Sequence, residues 1–223
     1  MATPYVSIVL EDIPSTQDEA VARADDAPVL VVAARQSAGR GRGGRRWETA
    51  PRAMAASLAI RPRGWKAAQF GCLSLVAALA GRAVLGEDIG CKWPNDLLRD
   101  DAKVAGLLLE ASGDLVVIGL GVNLWWPDPP AGFGSLFETD PGPDNALELA
   151  SGWCDDLLAR IDRGPGEWGR AEYRRACGTI GRAIRWSPGG AGRAIDVDEE
   201  GRLVVETATG RITLSSGEVW EVG

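Results

Sequence analysis

The spacing of apolar residues changes several times along the chain, and each change marks an element. Residues 5–10 form a short β run. Pro14-Ser15-Thr16-Gln17-Asp18-Glu19 reads as a helix start, with Thr16 and Glu19 spaced as a capping box. Residues 29–34 and 54–60 are further strands. Residues 70–85 are apolar nearly all round, rich in Ala and Gly, and predict a buried helix. Residues 89–93 are strand-like, and 104–110 with 115–122 predict a hairpin turning near Ser112-Gly113-Asp114. The Pro/Gly-rich stretch 126–143 predicts a loop holding one helical turn. Two helices follow, an amphipathic one at 145–163 and another at 167–177.

After residue 177 the texture shifts to short strands at 183–186, 192–197, 203–207, 211–214 and 219–222, with Gly and Ser at the turns. This predicts a small barrel-like β unit packed on a larger domain. The expected organisation is therefore α+β, a domain over 1–177 followed by a β domain over 178–223.

Composition narrows the chemistry. The chain has 223 residues, 45% of them hydrophobic, and no apolar run of membrane-spanning length. Met1-Ala2-Thr3-Pro4-Tyr5 lacks the basic and apolar regions of a secretory signal, so a cytoplasmic protein is expected. Cys72, Cys91, Cys154 and Cys177 have no C-x-x-C spacing, which argues for reduced thiols and against a zinc site. Histidine is absent, which removes Ser-His-Asp and Cys-His chemistry and every His-ligated metal.

Against a net charge of −7, residues 39–46 hold four Gly and four Arg in eight positions. Guanidinium forks and backbone N–H groups in a glycine-rich loop suit a carboxylate or phosphate. So flexible a loop is expected to need its ligand to become ordered. Gly39, Gly41 and Gly44 spell G-x-G-x-x-G after a strand, but Arg45-Arg46-Trp47-Glu48-Thr49-Ala50-Pro51 is no helix start. No acidic residue stands about twenty positions on, so a dinucleotide fold is rejected. Arginine is the default cation, with only Lys66, Lys92 and Lys103 as lysines, so a retained lysine suggests a compact point charge.

Five segments then stand in order: Ser15-Thr16, Gln36 to Trp47, Lys92-Trp93-Pro94-Asn95-Asp96, Lys103-Val104-Ala105-Gly106 and Gly119-Leu120-Gly121-Val122-Asn123. In order and spacing they resemble the biotin–protein ligases, over nearly the whole chain. The resemblance implies a synthetase-like α+β domain, with a central mixed sheet and helices, followed by an SH3-like barrel. It also implies a two-step reaction: biotin and MgATP give biotinyl-5′-AMP, then a lysine of a biotin carboxyl carrier domain of an acyl-CoA carboxylase takes the biotin. By the same resemblance Ser15, Thr16, Gln36, Gly39, Arg40, Ser57, Lys103 and Gly106 meet biotin. Arg42, Arg45, Trp47, Asn95, Asp96 and Asn123 meet ATP or the adenylate, Mg2+ lies near Asn95 and Asp96, and Lys103 and Arg42 are catalytic. Ser15-Thr16 comes too early for the N-terminal DNA-binding domain of some members. With one small basic loop on an acidic chain, neither DNA nor membrane is an expected partner. A lipoate or octanoate ligase or transferase of the same fold is the nearest alternative, and an RNA-binding arginine loop a more distant one.

Overall fold

The computed structural model describes residues 3–215, 217 and 219–221. In chain order its strands and helices are β1 (Val6–Ile13), α1 (Thr16–Ala22), β2 (Val29–Gln36), β3 (Arg52–Ile60), α2 (Phe70–Leu85), β4 (Gly90–Lys92), β5 (Asp96–Arg99), β6 (Ala102–Ser112), β7 (Leu115–Trp125), α3 (Asn145–Ile161) and α4 (Arg170–Ala176). Then come β8 (Ala183–Trp186), β9 (Gly190–Val197), β10 (Leu203–Thr207), β11 (Gly210–Leu214) and β12 (Val219–Glu221).

The first seven strands make one mixed sheet in the order β1-β2-β3-β7-β6-β5-β4. Only β1 and β2 run parallel. The α+β expectation therefore holds, as does the hairpin, which turns through Gly113 at φ 62°. One strand went unread: β5 pairs with β4, and Asp100 and Asp101, both at positive φ, turn it into β6. A four-residue strand with mixed burial leaves no periodic signal.

The two faces of the sheet are packed unequally. One carries Leu30, Val32, Met54, Leu58, Ile118 and Leu120 against α2 and α3. Because α2 lies between the sheet and α3, it is apolar all round. The segment Ala67–Leu85, with a mean hydropathy of 1.6, is long and apolar enough to cross a membrane, yet it is the core helix of this layer. The other face holds a smaller cluster of Val29, Val31, Ala59, Val117 and Ala20 under the short helix α1. Beyond that cluster the inward positions shrink: Ser57 pairs with Gly119, which pairs with Leu108, and Ala55 pairs with Gly121, which pairs with Gly106. Small residues over two rows hollow this face, and the hollow is the cleft described below.

Three local readings change. The cap lies one residue earlier than expected: Ser15 is the N-cap and accepts from the Asp18 N–H at 3.3 Å, while Glu19 binds Arg23. The last helix begins at Arg170 rather than 167, because Gly169 adopts a left-handed conformation there. Residues 126–143 contain no helical turn; instead Phe133 pairs with Lys103 in a single parallel bridge.

The last five strands form an antiparallel sheet in the order β11-β10-β9-β8-β12, and among the described residues β11 is not paired with β12. Val222, expected in the last strand, lies outside the described residues. This sheet is fixed to the first through the turn after β9. The Trp93 and Trp168 indoles donate to the carbonyls of Gly201 and Glu199 at 3.0 and 2.9 Å. Arg170 binds Val197 O and Asp196, and Ala194, Val197, Leu203 and Val205 join the main core. All four cysteines are buried and free, and burial pushes the thiols of Cys72, Cys91 and Cys154 up to about 12.

Candidate functional site

The hollow opens into a cleft of about 450 Å³ beneath the glycine-rich loop. Its two ends differ in chemistry.

The closed end is neutral. Gln36, the last residue of β2, points its carbonyl at the start of α1, where Oε1 accepts from the Thr16 N–H at 2.8 Å and its hydroxyl at 3.0 Å. The helix N-terminus thus satisfies one of its orphan donors from a neighbouring strand. Ser57, from the centre of β3, donates to Thr16 Oγ1 at 2.8 Å. With its carbonyl fully used, Gln36 keeps its amide N–H groups as donors. Gly39 sits so close that a Cβ there would lie 3.0 Å from Gln36 Nε2, so the loop can cross here only without a side chain. Gln17 lies beside this group and donates from Nε2 to Glu110 at 3.0 Å.

The charged end lies across β5 and β6. The Lys103 ammonium is 2.6 Å from Asp96 Oδ1 and 5.2 Å above the Trp47 ring. That indole lies on the floor made by the cross-strand pair Gly106 and Gly121; a Cβ on either would stand 2.8 Å from it. Asn95 is pinned to β6 by Nδ2 to Leu107 O at 2.9 Å, and its Oδ1 receives Arg42 at 3.4 Å. Arg42 also reaches Gly217 O, between β11 and β12, at 3.3 Å, while Arg45 folds back to Arg42 O.

The loop between these ends has more internal structure than its glycines predict. Arg40 and Arg46 form an antiparallel bridge, Gly41 N–H donates to Arg45 O at 2.7 Å, and Trp47 N–H to Gly39 O at 2.9 Å. Gly43 and Gly44 take φ of 68° and 74°, the left-handed turn such a tip needs. Arg40 clamps the loop to α1 by two hydrogen bonds to Asp18, at 2.6 and 2.7 Å. That pairing holds the Asp18 carboxyl below its usual range.

Most of the expected residues converge. Thr16, Gln36, Arg40, Arg42, Arg45, Trp47, Ser57, Asn95, Asp96, Lys103 and Gly106 line the cleft. Ser15, Gly39 and Asn123 do not line it: Ser15 caps α1, Gly39 is the crossing point, and Asn123 donates to Lys103 O and Gly134 O at 3.3 and 3.0 Å. Gln17 and Phe133 line the cleft without having been expected. Gln17 was one residue from the Ser15-Thr16 segment, but Phe133 sits in a loop whose only link to Lys103 is long-range pairing. Trp126, without a role in the sequence, packs on Phe133 at 5.8 Å and so supports the strand of Lys103.

Among the described residues no three His, Cys, Asp or Glu side chains cluster into a metal cage. Asp96 is a single carboxylate with one oxygen paired to Lys103. That fits Mg2+ of the kind carried largely by nucleotide phosphates and water, for which Asp96 and Asn95 are the side chains that would hold it.

Solved structures share this architecture. The biotin protein ligase from Aquifex aeolicus in complex with biotin and ATP matches with a TM-score of 0.84 at 23% identity, covering 97% of this chain and 99% of that one. The Leishmania major biotin protein ligase with biotinyl-5-AMP gives a TM-score of 0.70 at 24% identity, covering 98% of each chain. This chain therefore has the fold of these biotin protein ligase structures. Residues 9–123 match the model of the Biotin/lipoate A/B protein ligase family and residues 191–220 that of the Biotin protein ligase C terminal domain, and the chain belongs to that family. It is 35% identical to the biotin–[acetyl-CoA-carboxylase] ligase of Mycobacterium tuberculosis, over 92% of this chain and 85% of that protein. It is 34% identical to the same enzyme of Paracoccus denitrificans, over 85% and 89%. These relatives favour biotin over lipoate: the protein is an ATP-dependent biotin ligase.

Proposed function

We propose that the neutral end of the cleft holds the ring of biotin and the charged end its carboxylate and the α-phosphate of ATP. The observation that carries this is the division of the cleft: a hydrogen-bonded Thr16–Gln36–Ser57 group, with Thr16 and Ser57 buried, at one end, and Lys103, Arg42 and Arg45 at the other. A carboxylate oxygen attacks the α-phosphorus, pyrophosphate leaves, and biotinyl-5′-AMP remains. Two anions must approach for this, so the site's work is to position them and to offset negative charge as it develops. Lys103 has the position for it, a point charge whose present partner is Asp96. Mg2+, bound with the nucleotide, supplies further charge neutralisation on the phosphates.

Arg42 and Arg45 face the phosphates, Trp47 covers the adenylate, and Gly106 lets it lie flat on the sheet. Gly39 and Arg40 close the loop over the ring, and Ser15 acts as the cap that presents Thr16. Asn123 acts from behind, fixing the backbone of Lys103. The second substrate is a lysine of a biotin carboxyl carrier domain, whose amine attacks the acyl carbon and releases AMP. Residues 1–177 carry the chemistry and 178–223 the second domain, which reaches Arg42 through Gly217. In this role the protein is cytoplasmic and acts on neither DNA nor membrane.

Biotin-dependent exchange of pyrophosphate into ATP tests the first step, and transfer of labelled biotin to a carrier domain tests the second. Exchange is expected with biotin and not with lipoate; exchange with lipoate alone would overturn the reading.

A further inference from the structure

Cys91 and Cys177 stand opposite each other in a single parallel bridge, and the Gly178 N–H donates to Cys91 O at 2.9 Å. Residues paired in this way have backbones about 4.8 Å apart. That lies inside the span of about 4.4–6.8 Å between the Cα atoms of a disulfide. The two residues are 1% and 6% exposed, and both thiols are free. Gly178 is exposed, so Cys177 lies one residue from solvent. Burial raises the Cys177 thiol, while the N–H groups of Thr179 and Ile180 and the Thr179 hydroxyl favour its thiolate. Cys91 is pushed up to about 12 by burial. Tyr173, fully buried, has a hydroxyl without a hydrogen-bond partner among the described residues. Burial raises this phenol, and the neighbouring Cys177, Cys91 and Asp96 add to the rise. An idle, desolvated donor therefore lies beside the two sulfurs and close to the carboxylate that pairs with Lys103.

We propose that Cys91 and Cys177 are a modification site, which hydrogen peroxide converts to a reversible disulfide that lowers adenylation. The Cys177 thiolate attacks one peroxide oxygen and breaks the O–O bond, giving a sulfenic acid and water. The Tyr173 hydroxyl meets the new oxygen. The Cys91 sulfur then attacks the Cys177 sulfur, a second water leaves, and the S–S bond closes. Two thiols give up two electrons and two protons, and the peroxide takes them all. Two equivalents of a small thiol reverse the change. The bond would lie at a joint. Cys91 is the middle residue of β4, which runs directly into Trp93-Pro94-Asn95-Asp96, and Cys177 follows α4 and leads to the second sheet. Thr179 Oγ1 accepts from the Trp93 N–H at 3.0 Å, so the two segments are already tied together. Closing an S–S bond of about 2.05 Å draws β4 toward residue 177 and takes Asn95 and Asp96 off their positions. A shift of about 1 Å in a reacting geometry can cost on the order of a hundredfold in rate.

The test treats the reduced, full-length protein with hydrogen peroxide. Mass spectrometry of unreduced digests reads the link, and biotin-dependent ATP–pyrophosphate exchange reads activity. A peptide pair joined through Cys91 and Cys177 is expected, with exchange lowered about tenfold or more and recovered with dithiothreitol. Cys91→Ala and Cys177→Ala should keep basal exchange and lose the reversible inhibition, whereas Cys72→Ala and Cys154→Ala should retain it. Where a variant fails to fold, the wild type decides: link and inhibition should rise together with time and reverse together. Absence of the linked peptides, a link that leaves exchange unchanged, or undiminished reversible inhibition in Cys91→Ala overturns the proposal. The activity readout rests on the biotin reading. Absence of exchange in the reduced protein would count against that reading, while the linked peptides are read independently of it.

Discussion

At the closed end of the cleft, Thr16, Gln36 and Ser57 hold one another through hydrogen bonds of 2.8 to 3.0 Å on three different elements. At the open end, Lys103, Asp96, Arg42 and Asn95 meet through charges and one long contact, with a glycine-rich hairpin overhead. The contrast follows from what each end must do. Hydrogen bonds are directional and weaken steeply off axis, so a site that selects a neutral ring needs rigid elements behind it. Coulomb forces fall off slowly and tolerate misplacement, so a loop can deliver the arginines. Rigidity is spent on selection, and adaptability on charge.

Four experiments press on this contrast. Lys103→Ala should lower adenylation about 10²- to 10³-fold, the scale for losing a preorganised donor, measured as pyrophosphate exchange. Lys103→Arg should not restore it, since a planar fork cannot replace a point charge beside Asp96. Near-normal turnover in Lys103→Ala would erase the division between the ends.

Gly121→Val would drive a side chain into the Trp47 indole, which already lies 2.8 Å from a bare Cβ. Binding of the adenylate should weaken on the order of tenfold or more, the range for overpacking a close contact. Calorimetry with a non-hydrolysable adenylate analogue checks this, and undiminished binding would show that Trp47 does not form the cover.

Thr16→Val keeps shape and removes the hydroxyl that joins Ser57 to Gln36. It should raise KM for biotin by about tenfold, equivalent to one net hydrogen bond, with kcat unchanged. A fall in kcat alone would mean that the closed end takes part in chemistry.

The smallest effect concerns the loop clamp. Arg40 holds the Asp18 carboxyl below its ordinary value, so the pairing is complete above the ordinary carboxylate range and is lost as pH falls through the lowered value. Acid, not alkali, should therefore loosen the loop, seen as faster amide exchange at residues 39–47. Bound adenylate should slow tryptic cleavage after the loop arginines; equal rates with and without it would mark the hairpin as rigid.

The closed end was partly legible, because Ser15-Thr16 and Gln36 sit at element boundaries where cap and strand signals are strong. Which hydroxyl caps and which faces the cleft was not, since a shift of one residue swaps them; Ser15 and Thr16 carry the same local signal. The arginine loop was legible as an anion site from composition, but not as a hairpin, because its folding depends on Asp18 and on the glycine floor supplied by β6 and β7. Phe133 and β5 were not readable at all: their pairing is long-range or too short to show a period. The two long helices and the β6–β7 hairpin were clear, since each repeats its pattern over many residues.

The indoles of Trp93 and Trp168, bonded to the carbonyls of Gly201 and Glu199, bear on how the chain could be divided in the laboratory. A cut near residue 178 severs the sequence between two sheets, yet the plug formed by residues 198–201 stays lodged among aromatic side chains of the first part. The halves would behave less as modules than as complementary fragments. Expressed separately, neither should be soluble with its contact surface bared; expressed together, they should find each other. A split version of this enzyme, with activity gated by whatever brings its two pieces into one place, is thus already sketched in the way its second sheet is seated.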